Sequence, residues 1–190
     1  MNAESINIAQ LLVENALKGD QQSMYRLYKM YMKAMYNISI RIVVNQLDAE
    51  DILQESFSSA FCNLIKYKGE ATFGAWLKRI VINKSINHVK KQKIWFEDSD
   101  KLPEVEDEDE SDENELNREN LFSKISPEMI HEAIKTLPIK AKAVLNLYLL
   151  EGYQHKEIAE MLGISESTSK SQYQRARKLL MQKLIIMNSK

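Results

Sequence analysis

Hydrophobic periodicity stops between residues 96 and 119, where 13 acidic residues stand against 2 basic ones. Such a segment cannot bury enough apolar surface to offset the entropy of ordering it, so the sequence predicts a flexible acidic linker there. That leaves two blocks, each of which must build a core of its own. Their net charges are +5 before the acidic string and +5 after it, around −11 within it, which together give the −1 of the whole chain. Mild positive charge on each block suits a polyanionic partner, and a near-neutral total restrains indiscriminate attachment. Gly and Pro are scarce, at 5 and 3 in 190 residues, and 44% of the chain is apolar. This composition predicts an all-α protein: two small helical domains, at 1–95 and 121–190, on a tether at 96–120.

Several classes of chemistry fall away. A single cysteine, Cys62, allows neither an intramolecular disulfide nor a thiolate cluster and points to a reducing compartment. His88, His131 and His155 are far apart and fit no metal-ligand spacing, and the chain has no Gly-rich phosphate loop and no nucleophile elbow. Neither metal, cofactor nor catalysis is expected. No apolar run approaches the roughly 18 residues of a membrane span. The first residues lack the basic start and apolar core of a secretion signal, so a cytoplasmic location is the expectation.

In chain order, residues 6–18 place Ile8, Leu11, Leu12, Val13, Ala16 and Leu17 on a helix that stops at Gly19, and Asp20 is placed to cap the next one. Residues 21–44 carry a wide face of Met24, Leu27, Tyr28, Tyr31, Met35, Tyr36 and Ile38, read as core because no convergent ligand set accompanies it. Asp48 reads as the N-cap of a third helix. Its Ile52, Leu53, Ser56, Phe57, Ala60, Phe61 and Leu64 face inward, and Glu50, Asp51, Gln54 and Glu55 form an acidic and amide outer face. A loop at 67–72 follows. The fourth helix then turns Phe73, Trp76, Leu77, Ile80, Val81, Ile82 and Ile86 inward, while Arg79, Asn83, Lys84, Asn87, Lys90, Lys91 and Lys93 line its outside or its end. Amides read base edges and lysines neutralise phosphate. Trp76 shares a face with Phe73, Leu77 and Ile80, which reads as core rather than as a stacking platform. Beyond the acidic string, Ser126-Pro127-Glu128 is a capped helix start with Met129, Ile130, Ala133, Ile134 and Leu137 inward. A further helix over 139–150 presents Ala143, Val144, Leu147, Tyr148 and Leu150.

The most strongly marked unit is 154–178. Ile158, Ala159 and Leu162 share one helical face, and Gly163 sits where the chain must turn at positive φ. Ser165 caps a second helix with Glu166 in its first turn. On that helix Thr168, Tyr173, Ala176 and Leu180 approximate an inward stripe, whereas Ser167, Lys170, Ser171, Gln174, Arg175, Arg177 and Lys178 crowd the other side. These side-chain types reach base edges and phosphates when a helix enters a major groove, so they are candidate DNA contacts of a helix-turn-helix reader. A plain solvated helical hairpin is the competing reading of the same residues.

Gly152, Tyr153, Lys156, Glu157, Ile158, Ala159, the run Leu162-Gly163-Ile164-Ser165-Glu166, Thr168, Lys170-Ser171 and Arg175-Ala176-Arg177 resemble the DNA-binding half of the extracytoplasmic-function (ECF) sigma factors, a subfamily of the sigma-70 factors of bacterial RNA polymerase. The segment 48–57 resembles the part by which such factors grip the clamp helices of polymerase. The resemblance implies that Asp48, Glu50, Asp51, Gln54 and Glu55 are polymerase contacts, an acidic face that pairs with basic side chains. The stretch 67–91 resembles the family's promoter-melting part. This implies that the loop, with Lys68, Gly69, Glu70 and Ala71, receives an unstacked base of the non-template strand, with Asn83, Lys84, Asn87, Lys90 and Lys91 near it on the helix. Capturing an extruded base offsets an unstacking cost of a few kcal/mol and needs no ATP. In the family the linker runs through the basic channels of polymerase in the manner of nascent RNA; here it is longer and more acidic than that role requires. Ser169 stands where the family usually has a branched apolar residue, which predicts looser packing under the reading helix. Gln172 stands where it often has arginine, which removes a phosphate contact.

The resemblance implies an alternative sigma factor. Its partners would be core RNA polymerase, through the clamp helices and the flap, and promoter DNA, as upstream duplex for the C-terminal domain and as melted single strand for the N-terminal one. An anti-sigma factor is a further partner that the resemblance allows. The residues leave two other functions open: a self-sufficient dimeric helix-turn-helix transcriptional regulator, whose half-site spacing dimer symmetry would set, and a module that binds protein only. Two features separate these readings: the basic loop and helix over 67–93, which a dimerisation domain would not need, and the acidic tether, which would hold a compact dimer poorly.

Overall fold

The computed structural model describes residues 3–91 and 125–188, and among these every regular element is helical. They fall into two compact units, within Met1–Val89 and Lys90–Lys190. The expected tether at 96–120 and Lys93 lie outside the described residues.

The first unit contains α1 (Ala3–Leu17), α2 (Gln21–Val43), α3 (Gln46–Cys62), a 3-10 turn (Leu64–Lys66) and the start of α4 (Phe73–Lys91). Asp20 caps α2 as expected, its carboxylate accepting from the Gln22 and Ser23 amides. The third helix begins before its expected cap. Asn45 accepts from the Leu47 and Asp48 amides at 2.9 and 3.3 Å, and Asp48 sits within the first turn instead. The cause lies one residue back: Val44 leaves helical space at φ 69°, so the chain turns within a single residue and Asn45 is the side chain that faces the new helix's free amides.

The core joins Leu12, Val13 and Ala16 of α1, Leu27, Tyr31, Met35 and Ile38 of α2, Ile52, Leu53, Phe57 and Ala60 of α3, and Phe73, Leu77, Val81, Ile82 and Ile86 of α4. Ile8, Leu11 and Leu17, expected inward, are about half exposed, because α1 packs through the narrower stripe of Ala9, Leu12, Val13 and Ala16. Trp76 and Ile80 are likewise only partly buried. Where α2 meets α4, a Cβ on Gly74 would lie 2.6 Å from the Tyr31 ring, so the contact requires glycine or a displaced ring.

The second unit contains α5 (Pro127–Lys135), α6 (Ile139–Leu145) running into a π turn (Asn146–Leu150), α7 (His155–Leu162) and α8 (Glu166–Asn188). Ser126 caps α5 and Pro127 occupies its first turn, as the sequence predicts. Leu137, Ala141, Leu145 and Ala176 form the centre of the core, with Ile134, Tyr173, Leu179 and Leu180 packed on it. The helix expected over 139–150 changes type partway. Its last turn widens into the bond from the Glu151 amide to the Asn146 carbonyl, 3.1 Å, and Leu150 faces solvent rather than the core. Ile130, also expected inward, is 38% exposed.

Candidate nucleic-acid interfaces

In the second unit α7, its turn and α8 are fixed by local chemistry. Gln154 and Glu157 form a capping box at the start of α7, with the Glu157 carboxylate accepting from the Gln154 amide at 2.8 Å. Gly163 ends the helix at φ 67°, ψ 40°, the left-handed region that favours glycine. Ser165 Oγ accepts from the Thr168 amide at 3.0 Å and starts α8.

The inward stripe of α8 lies one residue later than expected at its start: Ser169 is fully buried, and Thr168 is only partly so. Ser169 does not leave a loose joint. Its hydroxyl lies 3.0 Å from His155 Nδ1, a polar link from α8 to α7. The His155 ring in turn stacks on Tyr148 at 4.4 Å and 12°, and Tyr148 lies 4.6 Å from Tyr173. Gln172 is half-buried with its Oε1 out of contact with solvent and without a hydrogen-bond partner.

On the opposite side Ser167, Lys170, Ser171, Gln174 and Arg177 are all exposed and recur at three- and four-residue spacing, so they share one strip of α8. Arg175 and Lys178 are half-buried on its flanks. Lys170 Nζ pairs with Glu166 Oε1 at 2.7 Å, and this hydrogen bond and charge hold the Glu166 carboxyl below the ordinary glutamate value. Arg177 reaches Gln174 Oε1 at 3.5 Å and lies 6.0 Å over the Tyr173 ring. Such exposed pairs are weak and exchange readily for phosphate.

In the first unit the loop at 67–72 borders a recess of about 330 Å³. Its lining includes the half-buried Tyr67 and the buried Tyr31 and Phe73, both also core residues; the loop supplies Gly69, Glu70, Ala71 and Thr72, and α1 supplies Ala9 and Gln10. The Phe73 ring lies 5.5 Å from Tyr31 and 5.9 Å from Tyr67, and Trp76 extends the cluster at 5.4 Å from Tyr67. The Tyr67 hydroxyl donates to the Ala71 carbonyl at 2.6 Å and closes the loop, and Thr72 Oγ1 accepts from the Ala75 amide at 3.3 Å. Burial pushes the Tyr31 and Tyr67 hydroxyls above the ordinary phenol value, so both stay protonated at neutral pH. Lys68, Gly69, Glu70 and Ala71 are all exposed.

Asn83, Asn87 and Lys91 form an exposed row at four-residue spacing on α4, continued backwards by Arg79. Lys90 adjoins the end of that row. The row is not beside the recess, however: at 1.5 Å per residue Asn83 stands about 15 Å and Asn87 about 21 Å along the axis from Phe73. Loop and row can address successive nucleotides but not one base. Lys84 lies half-buried beside the row, its Nζ 3.4 Å from Glu55 Oε2. An expected DNA contact and an expected polymerase contact thus face each other across α3 and α4. Asp48 Oδ2 similarly lies 3.2 Å from His88 Nε2. Glu50, Asp51, Gln54 and Glu55 form the solvent face of α3, with Leu47 beside them at 71% exposure. Gln10, Tyr31 and Leu47 carried no signal of a site in the sequence, because each stands in an ordinary helical pattern.

Among the described residues no three His, Cys, Asp or Glu side chains gather as a metal site, and no helix is long and apolar enough to cross a membrane.

The family model described as Sigma-70 region 2 matches residues 27–94, and the one described as Sigma-70, region 4 matches residues 128–180. The ECF RNA polymerase sigma-E factor of Haemophilus influenzae is 29% identical over 184 residues, 92% of this chain and 94% of the relative. That of Escherichia coli K12 is 30% identical over 176 residues, 90% of this chain and 91% of the relative. The solved structure of the sigma factor RpoE from Bartonella quintana, in complex with the anti-sigma factor NepR, covers 85% of this chain and 96% of its own with a TM-score of 0.54; at 19% identity that likeness is one of fold. With two sigma-70 regions in order along the chain and relatives aligned over nearly their full length, the protein belongs to the extracytoplasmic-function sigma factors of bacterial RNA polymerase.

Proposed function

We propose that this alternative sigma factor binds core RNA polymerase, brings it to promoters and initiates transcription with a division of labour between its units. Residues 1–95 grip polymerase and open the promoter, 96–120 serve as the tether, and 121–190 read the upstream element. The exposed strip of Ser167, Lys170, Ser171, Gln174 and Arg177, flanked by Arg175, enters the major groove of the upstream duplex, where Gln and Arg read base edges and Lys neutralises phosphate. Glu50, Asp51 and Gln54, with Leu47 beside them, dock on the clamp helices, and the second unit meets the flap. Asn83, Asn87, Lys90 and Lys91 track the melted strand beyond the captured base.

The observation that carries this reading is the aromatic recess beside the exposed loop. It lies in the range of about 300–1,000 Å³ typical of ligand clefts, and Tyr67, the half-buried ring of its lining, offers a face on which a base can stack without regard to its identity. Holding an extruded base offsets the cost of unstacking it and so favours the opened duplex. The protein performs no reaction of its own; polymerisation belongs to its partner, in the cytoplasm. An anti-sigma factor, as in the Bartonella complex, fits the same scheme as a competitor for the polymerase-binding faces.

The test is a pair of variants read in two assays. Asp51→Lys is expected to lower capture of core polymerase, and Lys170→Ala to weaken protection of upstream duplex while leaving capture intact. Loss of both properties in either variant would count against the division of labour.

A further inference from the structure

The reading half of α8 is seated without a large buried side chain. The buried residues of α8 are Ser169, Ala176 and Leu184, and the two that fall within the stretch carrying the exposed strip, Ser169 and Ala176, are both small. Small side chains make shallow ridges, which leave a helix freer to turn against its neighbours than a large knob would. The other contacts of this half are polar and aromatic, and they converge on one residue of α7. His155 places Nδ1 3.0 Å from the Ser169 hydroxyl, and its ring lies 4.4 Å from Tyr148 at 12° and 5.6 Å from Tyr173 at 63°. Tyr148 and Tyr173, 4.6 Å apart, close the triangle. Ring contacts keep their strength over a range of offsets and separations. A hydrogen bond weakens steeply once its distance and angle are lost, and Ser169 is 0% exposed, so water does not replace the ring nitrogen there.

We propose that the link between Ser169 and His155 positions the reading strip, fixing the rotation of α8 and hence which of its side chains reach the upstream duplex. This rests on the reading of the strip as the duplex contact. Ser169 and His155 act on DNA through the helix and touch no base or phosphate themselves. A helix with its side chains is about 10–12 Å across, so a turn of about 20° carries a side-chain tip about 2 Å sideways. A hydrogen bond to a base edge spans about 2.7–3.2 Å, and such a displacement breaks it. Lys170, the residue after Ser169, and Glu166, its partner at 2.7 Å, move with the same turn. A branched apolar residue at 169 would fill space without direction, whereas serine there gives α7 and α8 one defined angle.

The experiment measures binding of a labelled duplex, selected from a random pool by the wild-type complex, to the full-length protein on core polymerase. Ser169→Ala removes one oxygen and supplies the best helix former, and His155→Phe keeps a ring against Tyr148 while removing Nδ1. Each is expected to weaken duplex binding about fivefold, the factor that one hydrogen bond of ordinary net strength represents when it holds the binding-competent arrangement. The double variant should lose no more than either single one, because both break the same link. The slope of log affinity against log salt should keep its wild-type value, since no phosphate contact is removed. Ser169→Ala should also keep the melting temperature of the free protein, which separates positioning from support of the fold. Wild-type affinity in both single variants, losses that multiply in the double variant, or a salt slope lowered by about one unit would each overturn the proposal. So would a loss of affinity that only follows a fallen melting temperature. Undiminished duplex binding by Lys170→Ala and Gln174→Ala would instead overturn the reading of the strip itself.

Discussion

Tyr67→Phe removes one oxygen atom from the protein and isolates the closure of the loop from everything else. The ring contacts with Phe73 at 5.9 Å and Trp76 at 5.4 Å remain, and only the 2.6 Å bond to the Ala71 carbonyl is lost. A hydrogen bond of this kind contributes a net of about 0.5–1.5 kcal/mol, and the freed carbonyl lies at the surface, where water replaces the hydroxyl. About 1 kcal/mol is therefore the cost, and it falls on the loop rather than on the core. If the closed loop is the form that holds a base, single-strand affinity should drop about fivefold, since RT is about 0.6 kcal/mol. Anisotropy of a labelled single-stranded oligonucleotide on the polymerase complex reads this directly. Calorimetry of the free protein should meanwhile show the melting temperature moving by less than the roughly 4–8 °C that 1 kcal/mol of global stability represents in a domain this size. Tyr67→Ala, which also removes a wall of the recess, should lose more affinity than Tyr67→Phe. Wild-type affinity in both variants would show that the loop does not receive the strand, and a large fall in melting temperature for Tyr67→Phe would show that the bond supports the fold instead.

Leu145→Ala empties a position 1% exposed at the centre of the second unit's core and should cost about 2–5 kcal/mol, comparable to the whole stability of so small a core. Calorimetry should show that unit melting earlier, and a loss below about 1 kcal/mol would contradict the assigned core. Lys170→Ala should lower the slope of log affinity against log salt for upstream duplex by about one unit, whereas Gln174→Ala should relax base preference and leave the slope unchanged. Asp20 makes the cap of α2 sensitive to acid. The Ser23 hydroxyl bond, followed by the capping amides and Arg26, holds its carboxyl below the unfolded value. Its stabilisation is therefore full above that unfolded value, about pH 4, and is lost as pH falls through the lower folded one. Melting temperatures of wild type and Asp20→Ala should converge below pH 4, and a constant gap would refute the cap.

What the sequence discloses here is what local chemistry decides. Gly163, Ser165, Asp20, Ser126 and Pro127 stand where the sequence places them, since each acts on amides or carbonyls within four residues of itself. The departures arise where distant elements decide. Val44 at positive φ hands the cap of α3 to Asn45, and no pattern in the sequence marks a β-branched residue for that conformation. The narrow contact of α1 leaves Ile8 and Leu11 outside, although their spacing is that of a core stripe. Ser169 reads as a packing defect until His155 is found 3.0 Å away, 14 positions earlier in the chain. The candidate site divides in the same way. The exposed strip of α8 follows from helical spacing alone, whereas the recess needs α1, α2 and the loop at 67–72 to meet, and the pairing of Lys84 with Glu55 needs α3 and α4 to lie side by side.

The most direct measurement is a footprint of genomic promoter fragments, with and without core RNA polymerase, that also reports single-stranded bases. Protection of upstream duplex together with local melting, both dependent on polymerase and the melting reduced by Tyr67→Ala, is the expected result. Protection of duplex by the protein alone, without melting, would contradict the division of labour and describe a self-sufficient regulator instead.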